Sequence, residues 1–240
     1  MLSIIIPTLN EEKIIEKMLT SLKELTDFPY EIIVSDGNST DRTVEIARNH
    51  AHKVVVHDGK TRQTIGEGRN AGAKVAEGEY LVFLDSDVFI PNSNAHFARA
   101  ISHFEKNKNL LALTVILKTL PEHETMGDYI SWKIVNSAHR LLNNILRIGT
   151  SSGEFQMFRR EAFQSIEGYS KTLCFGEDAE IFYRLSKIGK TWLDPKLHVF
   201  HTSRRAHNMG WISLWSVWTV NVISNWIRKK PVSKEWKVSR

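Results

Sequence analysis

Residues 80–88, YLVFLDSDV, run from apolar side chains straight into two carboxylates one residue apart, Asp85 and Asp87, with Ser86 between them. Such an apolar run predicts a strand buried on both faces, and ligands of open α/β sheets bind beyond the carboxyl ends of such strands. Neighbouring carboxylates repel each other unless a cation lies between them, and Mg²⁺ or Mn²⁺ shared with substrate phosphates would suit this position. The alternative is an ordinary polar turn after a core strand.

Polar segments also follow the other strands predicted in the first half of the chain. They are residues 7–11 (PTLNE), 35–41 (SDGNSTD) and, at the start of a predicted helix, 66–72 (GEGRNAG). Each has a structural alternative, as a turn with a helix cap, a plain turn or close helix packing, but together they predict one rim of a site. No Gly-x-x-x-x-Gly-Lys-Ser/Thr loop is present, and no Gly-x-Gly-x-x-Gly follows the first strand. This excludes a P-loop and the usual dinucleotide site.

The periodicity of apolar residues predicts strands and helices in alternation. The predicted strands cover residues 2–6, 31–35, 53–57, 79–84 and 110–117, and the helices between and after them cover 11–25, 40–49, 64–76, 93–106, 126–146 and 179–187. Asn10 is expected to cap the first helix. Strands joined through helices imply right-handed βαβ units, so we expect an α/β fold with a mostly parallel central sheet flanked by helices.

The composition is that of a globular protein, with 42% hydrophobic and 25% charged residues among 240. The single cysteine, Cys174, rules out an internal disulfide framework and is typical of a reducing compartment. No signal peptide is expected at the start, because a basic region is missing and Pro7 comes early. The net charge of +5 comes largely from the C-terminus, where six Lys or Arg residues follow Trp211, so we expect no nucleic-acid partner.

Four sequence motifs follow one another along the chain: IIIPTLNEE, VSDGNSTDRT, GEGRNAGAKVAEGEYLVFLDSD and, later, Gly-Glu-Asp at 176–178. In order and spacing they resemble family 2 glycosyltransferases of the GT-A fold, over about residues 1–205. The resemblance implies a nucleotide-diphospho-sugar transferase fold, a UDP- or GDP-sugar donor, inversion at the anomeric carbon, and Mn²⁺ or Mg²⁺ as cofactor. The metal would neutralise the charge that develops on the leaving diphosphate.

The same resemblance assigns roles to individual positions. Thr8 and Glu11 would line the nucleoside pocket, and Asp36 would accept a hydrogen bond from the base. Arg69 would reach the base or the diphosphate. Asp85 would touch the ribose or a metal-bound water, and Asp87 would ligate the metal. The whole expected substrate-binding set is Pro7, Thr8, Glu11, Asp36, Arg69, Asp85, Ser86, Gly153 and Glu177.

The second half of the chain supplies the candidate base and a further metal ligand. By resemblance, Asp178 would take the proton from the acceptor hydroxyl, a task that needs a carboxylate or histidine within reach. The alternative is that Glu177 and Asp178 only stabilise the start of a helix through its dipole. His201 would complete the metal site, with His198 as the competing candidate.

The C-terminal segment, residues 206–240, is expected to be a tryptophan-rich, basic helical segment that follows the glycosyltransferase domain of residues 1–205. Trp211, Trp215, Trp218, Val222 and Trp226 share one helical face, and a basic tail follows. A tryptophan-rich face flanked by cations predicts a helix lying in the plane of an anionic membrane surface. The alternatives are a helix packed on the domain or in a dimer, and a spanning helix, for which the segment contains many Ser, Thr and Asn residues.

These patterns predict a metal-dependent glycosyltransferase in the cytoplasm, held at the inner face of the cell membrane. The acceptor would be a glycan or a polyprenyl-linked lipid, with transfer to a hydroxyl or phosphate. The alternative from another class is a catalytically idle protein that binds nucleotide sugars or acts as a scaffold.

Overall fold

One seven-stranded sheet forms the centre of the part of the chain that the computed structural model describes, residues 1–59 and 61–228 with side chains as far as Asn221. The spatial order is β3-β2-β1-β4-β6-β5-β7. Only β6 runs antiparallel to its neighbours, β4 and β5, and every other pairing in this sheet is parallel. The strands are β1 (Leu2–Thr8), β2 (Tyr30–Asp36), β3 (Lys53–Val56), β4 (Tyr80–Leu84), β5 (Leu110–Thr119), β6 (Phe155–Arg159) and β7 (Lys190–His201). The predicted α/β fold with a mostly parallel sheet is confirmed.

Helices cover both faces of this sheet. They are α1 (Ile15–Leu22), α2 (Thr43–His50), α3 (Ile65–Lys74), α4 (Ser93–Lys106), α5 (Met126–Arg140), α6 (Arg160–Ser165), α7 (Glu177–Ser186), α8 (Arg204–Met209) and α9 (Trp211–Arg228). A π-helical turn, Leu141–Ile145, continues α5. Two apolar clusters form the core, one beneath α1, α4 and α5 and the other beneath α3, α6 and α7. The continuous burial of β1 and β4 follows from this double cover.

Several helix starts differ from the sequence prediction. Asn10 does not cap α1, which begins at Ile15; its side chain oxygen instead accepts hydrogen bonds from Thr40, on the loop after β2. Asn10 has a positive φ of 56°, which asparagine tolerates better than most residues. The residue thus joins two neighbouring strand exits. Thr64 does begin α3 as predicted, with a reciprocal capping box to Glu67.

The helix α9 packs along α5. Trp211 donates its indole N–H to the buried Asp128 at 2.9 Å, and Trp215 donates to Ser131 at 3.3 Å. Trp218 packs against Trp132 with ring centroids 6.4 Å apart. The three tryptophans are therefore used for packing on the domain, one of the alternatives for this segment. The side chains of Val222 and Trp226, and the basic residues at 229–240, lie outside the described residues. Over residues 1–59 and 61–228, the helices are too short or too polar to cross a bilayer.

Close packing between α3 and β1 gives the first test. A Cβ added to Gly72 would lie 2.5 Å from Ile5 Cγ2, inside the core. We expect Gly72→Ala to lower the free energy of unfolding by about 1–3 kcal/mol, the usual cost of overpacking. The matched control is Gly68→Ala on the same helix, where the added carbon would meet only the flexible end of Gln63 at 3.3 Å. Urea unfolding of both variants measures the difference, and equal stabilities would contradict the α3 packing.

Candidate functional site

A cavity of about 590 Å³ opens where β1, β2 and β4 end. The polar part of its wall holds Pro7, Thr8 and Glu11 from the end of β1 and Asp85, Ser86 and Asp87 after β4. The opposite part comes from the end of β7 and from α8, including His201, Arg204 and Arg205. The rim predicted from the strand ends is thus assembled around one cavity, because parallel strands place their carboxyl ends on the same edge.

Arg204 bridges two carboxylates of the cavity wall, those of Glu11 and Asp87. Its guanidinium donates to both carboxylate oxygens of Glu11, at 3.0 and 3.1 Å, and its Nε lies 3.4 Å from Asp87 Oδ2. The Thr202 hydroxyl donates to the same Asp87 oxygen. Arg205 also lines the cavity, and burial lowers its pKa to about 10. The site therefore provides two guanidinium groups for a polyanionic ligand.

Asp36 lies beside the cavity but its oxygens face the protein. One oxygen accepts from the backbone N–H groups of Asn38 and Ser39, at 3.0 and 2.7 Å, and the other accepts from the hydroxyls of Thr8 and Ser39. The side chain is completely buried. In this arrangement Asp36 holds the loop after β2 against β1 and is not part of the cavity wall, in contrast to the predicted contact with a base.

Arg69, on α3, is the most heavily bonded side chain of the site. It is 1% exposed, and its Nη atoms donate to Asp85 at 3.0 Å, Glu177 at 3.1 Å and Asp178 at 2.5 Å. It also stacks on the ring of Tyr169. In this geometry both Nη atoms of Arg69 donate to protein oxygens and the residue does not line the cavity, so its reach to a base or diphosphate stays a prediction.

Gly153 makes room for this cluster. Its carbonyl accepts from Arg69 Nη2 at 3.2 Å, and an added Cβ would lie 2.4 Å from that atom and 3.2 Å from both oxygens of Asp178. A side chain at this position would displace the guanidinium or the carboxylate. The role that the structure gives Gly153 is therefore steric, and it brings β6 close to α3 and α7.

The carboxylates around Arg69 have raised pKa values. Burial raises the pKa of Glu177 to about 8, with a further contribution from Asp178 that Arg69 only partly offsets. Burial likewise raises the pKa of Asp85 to about 6, against the lowering effect of Arg69. Glu177 is therefore largely protonated at pH 7, while Asp178 lies at the edge of the cluster with its side chain 22% exposed.

Glu154 is a member of the site that the sequence analysis did not single out. It lines the cavity next to Asp85, and burial together with the Asp85 charge raises its pKa to about 8. Glu154 directly follows Gly153, a predicted substrate-binding residue, and this position in the sequence could have indicated that it belongs to the site. A protonated carboxyl here could donate a hydrogen bond to a ligand, which the ionised acids cannot do.

Of the two candidate histidines, His201 lines the cavity, whereas His198 lies on β7 with its ring against Phe200. The His201 ring is buried, and burial lowers its pKa to about 4, so it is neutral. Its Nδ1 accepts from the Ser203 N–H at 3.2 Å, which places the proton on Nε2. That nitrogen has no hydrogen-bond partner among the described residues. In this tautomer Nε2 is a hydrogen-bond donor and would have to lose its proton to bind a metal, so metal ligation by His201 stays a prediction.

The chemistry of the wall fits a divalent ion at Asp87. Its carboxylate lines the cavity, and Mg²⁺ or Mn²⁺ bound to substrate phosphates needs only one or two protein carboxylates. Within the described part of the chain, no three His, Cys, Asp or Glu side chains converge into a ready-made metal cage. Phosphate oxygens of a ligand would have to complete the coordination.

An apolar wall closes the remaining side of the cavity. It consists of Trp132 on α5 with Leu214 and Trp218 on α9, and Cys174 lies near them on the loop before α7. No pattern in the sequence indicated that α5 would reach the site. Since α8 and α9 contribute to the cavity, residues 206–221 belong structurally to the same unit as the strands that carry the acids.

The sheet order and the acid-lined cavity at its edge define a GT-A type α/β domain. A family model described as "Glycosyl transferase family 2" matches residues 3–167. The chain belongs to this family, as its motifs predicted.

Among curated proteins, the succinoglycan biosynthesis protein ExoA of Rhizobium meliloti (strain 1021) is 27% identical over 209 residues. The match covers 84% of this chain and 63% of ExoA. TarS of Staphylococcus aureus, a poly(ribitol-phosphate) beta-N-acetylglucosaminyltransferase, is 38% identical over 94 residues, which is 37% of this chain and 16% of TarS. The chain thus spans less than two thirds of these relatives.

Solved structures share the fold. The mannosyltransferase PcManGT from Pyrobaculum calidifontis, in complex with GDP-Man and Mn²⁺, has a TM-score of 0.74 at 20% identity, covering 95% of this chain and 64% of that one. TarS 1–349 from S. aureus, in complex with UDP-GlcNAc, has a TM-score of 0.62 at 23% identity, covering 83% and 57%. These likenesses confirm the GT-A fold.

The Arg69 cluster predicts a pH-dependent loss of stability on mutation. Arg69→Met leaves Asp85, Glu177 and Asp178 without their shared cation, and we expect a loss of about 3–5 kcal/mol at pH 8. The folded-state pKa of Asp85, about 6, already lies above its ordinary value of 3.8, and removing the cation that lowers it raises it further. An acid with a raised folded-state pKa loses stability as pH rises through that range, so the deficit should shrink towards pH 5.

Urea unfolding at pH 5 and pH 8 measures both variants against the wild type. The control is Arg42→Met, which removes an exposed ion pair to Glu45 and should leave stability unchanged at both pH values. An Arg69→Met deficit of the same size at pH 5 and pH 8 would attribute the effect to packing instead of charge.

Proposed function

We propose that this chain is an inverting glycosyltransferase that moves a sugar from a UDP- or GDP-sugar to an acceptor hydroxyl or phosphate. The observation that carries the proposal is that Arg69 binds both Asp85, on the donor rim, and Asp178, the candidate base. One guanidinium thereby fixes the donor side and the acceptor side of a single reaction centre. Family membership and nucleotide-sugar complexes of fold neighbours support it.

The donor would lie along the polar wall of the cavity. Pro7 and Thr8 would border the nucleoside, and Ser86 and the protonated Glu154 would offer hydrogen bonds near the ribose or the sugar. Arg204 and Arg205 would pair with the diphosphate, since guanidinium groups bind phosphate oxygens in a bidentate manner. Glu11, now paired with Arg204, would be available to the ribose once the diphosphate engages that arginine.

Asp87 would hold Mn²⁺ or Mg²⁺ at the diphosphate. When bound, the ion would supply Lewis-acid stabilisation of the leaving group. His201, in the tautomer that its bond to Ser203 favours, would donate its Nε2 proton to a phosphate oxygen. That role is an alternative to the metal ligation expected from the sequence resemblance.

Asp178 would act as the general base. Its Oδ1 accepts from Arg69, which fixes the carboxylate and leaves Oδ2 to take the acceptor proton. As the proton leaves, the acceptor oxygen bonds to the anomeric carbon from the face opposite the diphosphate. The bond from that carbon to the diphosphate breaks, and the leaving group takes the electron pair. Glu177 is a poorer base, because its raised pKa keeps it protonated at neutral pH.

The acceptor would be a glycan or a polyprenyl-linked lipid, with the protein at the cytoplasmic face of a membrane. The apolar wall of Trp132, Leu214 and Trp218 supports an acceptor that carries an apolar group or presents the apolar face of a sugar ring. Polyprenyl phosphates and glycans are both consistent with such a wall, and an acceptor screen with each class would separate them.

The base assignment predicts a selective loss of turnover. A panel of UDP- and GDP-sugars, screened for metal-dependent hydrolysis and thermal stabilisation, identifies the donor. With that donor, Asp178→Asn should lower the rate by roughly 10²–10⁴-fold at almost unchanged donor affinity, because shape is kept and proton acceptance is lost. Glu177→Gln is the matched control and should fall much less. A Glu177→Gln loss as large as that of Asp178→Asn would reverse the assignment, and a wild type that binds donors but never turns over would favour the idle alternative.

The metal assignment predicts different defects in two variants. Asp87→Ala should lose the increase in donor affinity that Mn²⁺ brings, as measured by calorimetry. His201→Asn should weaken donor binding with or without Mn²⁺ while the Mn²⁺ dependence persists. Asp27→Ala, an exposed acid before β2, serves as the control. Loss of the Mn²⁺ dependence in His201→Asn would restore histidine as a ligand.

A further inference from the structure

The outer side of α5 and its π-helical continuation is apolar and exposed. Exposure runs from 41% to 69% for six large aliphatic residues: Ile130, Ile134, Leu141, Ile145, Leu146 and Ile148. On the inner side of the same helix, Asp128, Trp132 and Asn136 are buried against the domain. The first four recur at intervals of four and seven and form one stripe along the helix, and Leu146 and Ile148 follow on the loop after it. We call this stripe, with the cations described next, the α5 face.

Cations border the stripe. Lys133 and Arg140 are exposed and seven residues apart on α5, which places them along one flank of the aliphatic residues, and the exposed Arg147 follows on the loop after the π-helical turn. The only acid between residues 126 and 148 is Asp128, and it is buried beneath α9. The α5 face therefore combines an apolar strip with an uncompensated positive edge.

Neighbouring elements extend the same surface at both ends. The hydroxyl of Ser186, at the end of α7, donates to the Ile148 carbonyl, and this brings the exposed Tyr183 and Ile188 alongside. At the other end, Gly127 lies against Trp211, the first residue of α9, and the next residue, Ile212, is 86% exposed. Contiguous apolar surface of this kind is unusual on a monomer without a binding role.

We propose that the α5 face lies on an anionic lipid bilayer. The charge pattern favours lipid as the occupant: a helix with aliphatic residues on one side, cations on the flank and no exposed acid matches helices that rest in the headgroup region. Trp211, Trp215 and Trp218 of α9, whose periodicity had suggested this role, pack inwards on α5 and so are not the contact surface. The proposal does not depend on the glycosyltransferase reaction, because it concerns binding alone.

The position of the α5 face has a geometric consequence for the site. Trp132 lines the cavity on the inner side of α5, while Lys133 and Ile134 lie on the α5 face. A helix is about 10 Å across with its side chains, so the cavity wall would lie within about that distance of the lipid headgroups. Lipid-borne substrates could then reach the cavity without leaving the bilayer.

Co-sedimentation of the full chain with vesicles tests the proposal. One set of vesicles is pure phosphatidylcholine, and the other is phosphatidylcholine with about 30% of the anionic lipid phosphatidylglycerol. The ionic strength is roughly physiological, so that surface charges are partly screened. We expect the wild type to bind the anionic vesicles selectively. Ile134→Asn/Leu141→Asn should lower the partition coefficient roughly 10- to 100-fold, because two aliphatic side chains no longer insert. Lys133→Gln/Arg140→Gln should lose most of the preference for anionic lipid.

Matched variants at the opposite edge of the sheet serve as controls. Val56→Asn/Val75→Asn removes two exposed aliphatic residues, and Arg48→Gln/Lys74→Gln removes two exposed cations. Both should bind vesicles like the wild type. Circular dichroism and hydrolysis of a soluble donor check that all variants are folded.

Three outcomes would overturn the proposal. They are wild-type protein that ignores anionic vesicles, α5-face variants that bind as well as the wild type, and a lipid-free wild-type dimer that Ile134→Asn/Leu141→Asn converts to monomer. The last result would assign the α5 face to a second copy of the chain. Loss of donor hydrolysis with intact vesicle binding would instead count against the proposed function alone.

Discussion

The position of Arg69 is the constraint on which the rest of the site depends. A single buried guanidinium donates to three carboxyl groups, one directly after β4 and two on α7, and one of its bonds fixes the carbonyl ahead of β6. Without that cation the ionised acids would repel each other in a poorly solvated interior. The close packing of the start of α7 against the end of β4 would then be destabilised. Gly153 is a consequence of the same requirement, since a side chain there would occupy the place of the guanidinium. The position proposed for Asp178 as the general base is therefore determined by its ion pair with Arg69, which also stabilises the fold.

The helix α5 connects the site to the outer surface. Its inner side supplies Trp132 to the cavity wall and Asp128 as the anchor for α8 and α9, through bonds from His207 and Trp211. Its outer side carries the aliphatic stripe. Because both sides belong to one rigid element, a force or contact on the surface acts directly on the cavity wall. The segment after residue 205, expected from the sequence to be an appendage, is attached to the domain through this helix.

Features that depend on local sequence were predictable, and features that depend on distant partners were not. The apolar run into Asp85, Ser86 and Asp87 indicated both a buried strand and the place where it ends. Both features depend only on the side chains of a few consecutive residues. Arg69 was predicted as a site residue, but its contacts with Glu177 and Asp178 were not, since these partners are 108 and 109 positions away. The periodicity of Trp211, Trp215 and Trp218 revealed a helical face, but periodicity does not show whether protein or lipid covers it. The cap expected of Asn10 was lost to a tertiary bond with Thr40.

The bridge of Arg204 between Glu11 and Asp87 makes the empty cavity self-complementary in charge. A polyanion that binds here must therefore compete with Glu11 and Asp87 for Arg204. Its binding breaks these ion pairs and forms new ones between Arg204 and the ligand. A divalent ion arriving at Asp87 would release that arginine at the moment when a diphosphate needs it. Cation and nucleotide would then favour each other's binding by the same factor in either order, through a thermodynamic linkage located in one side chain.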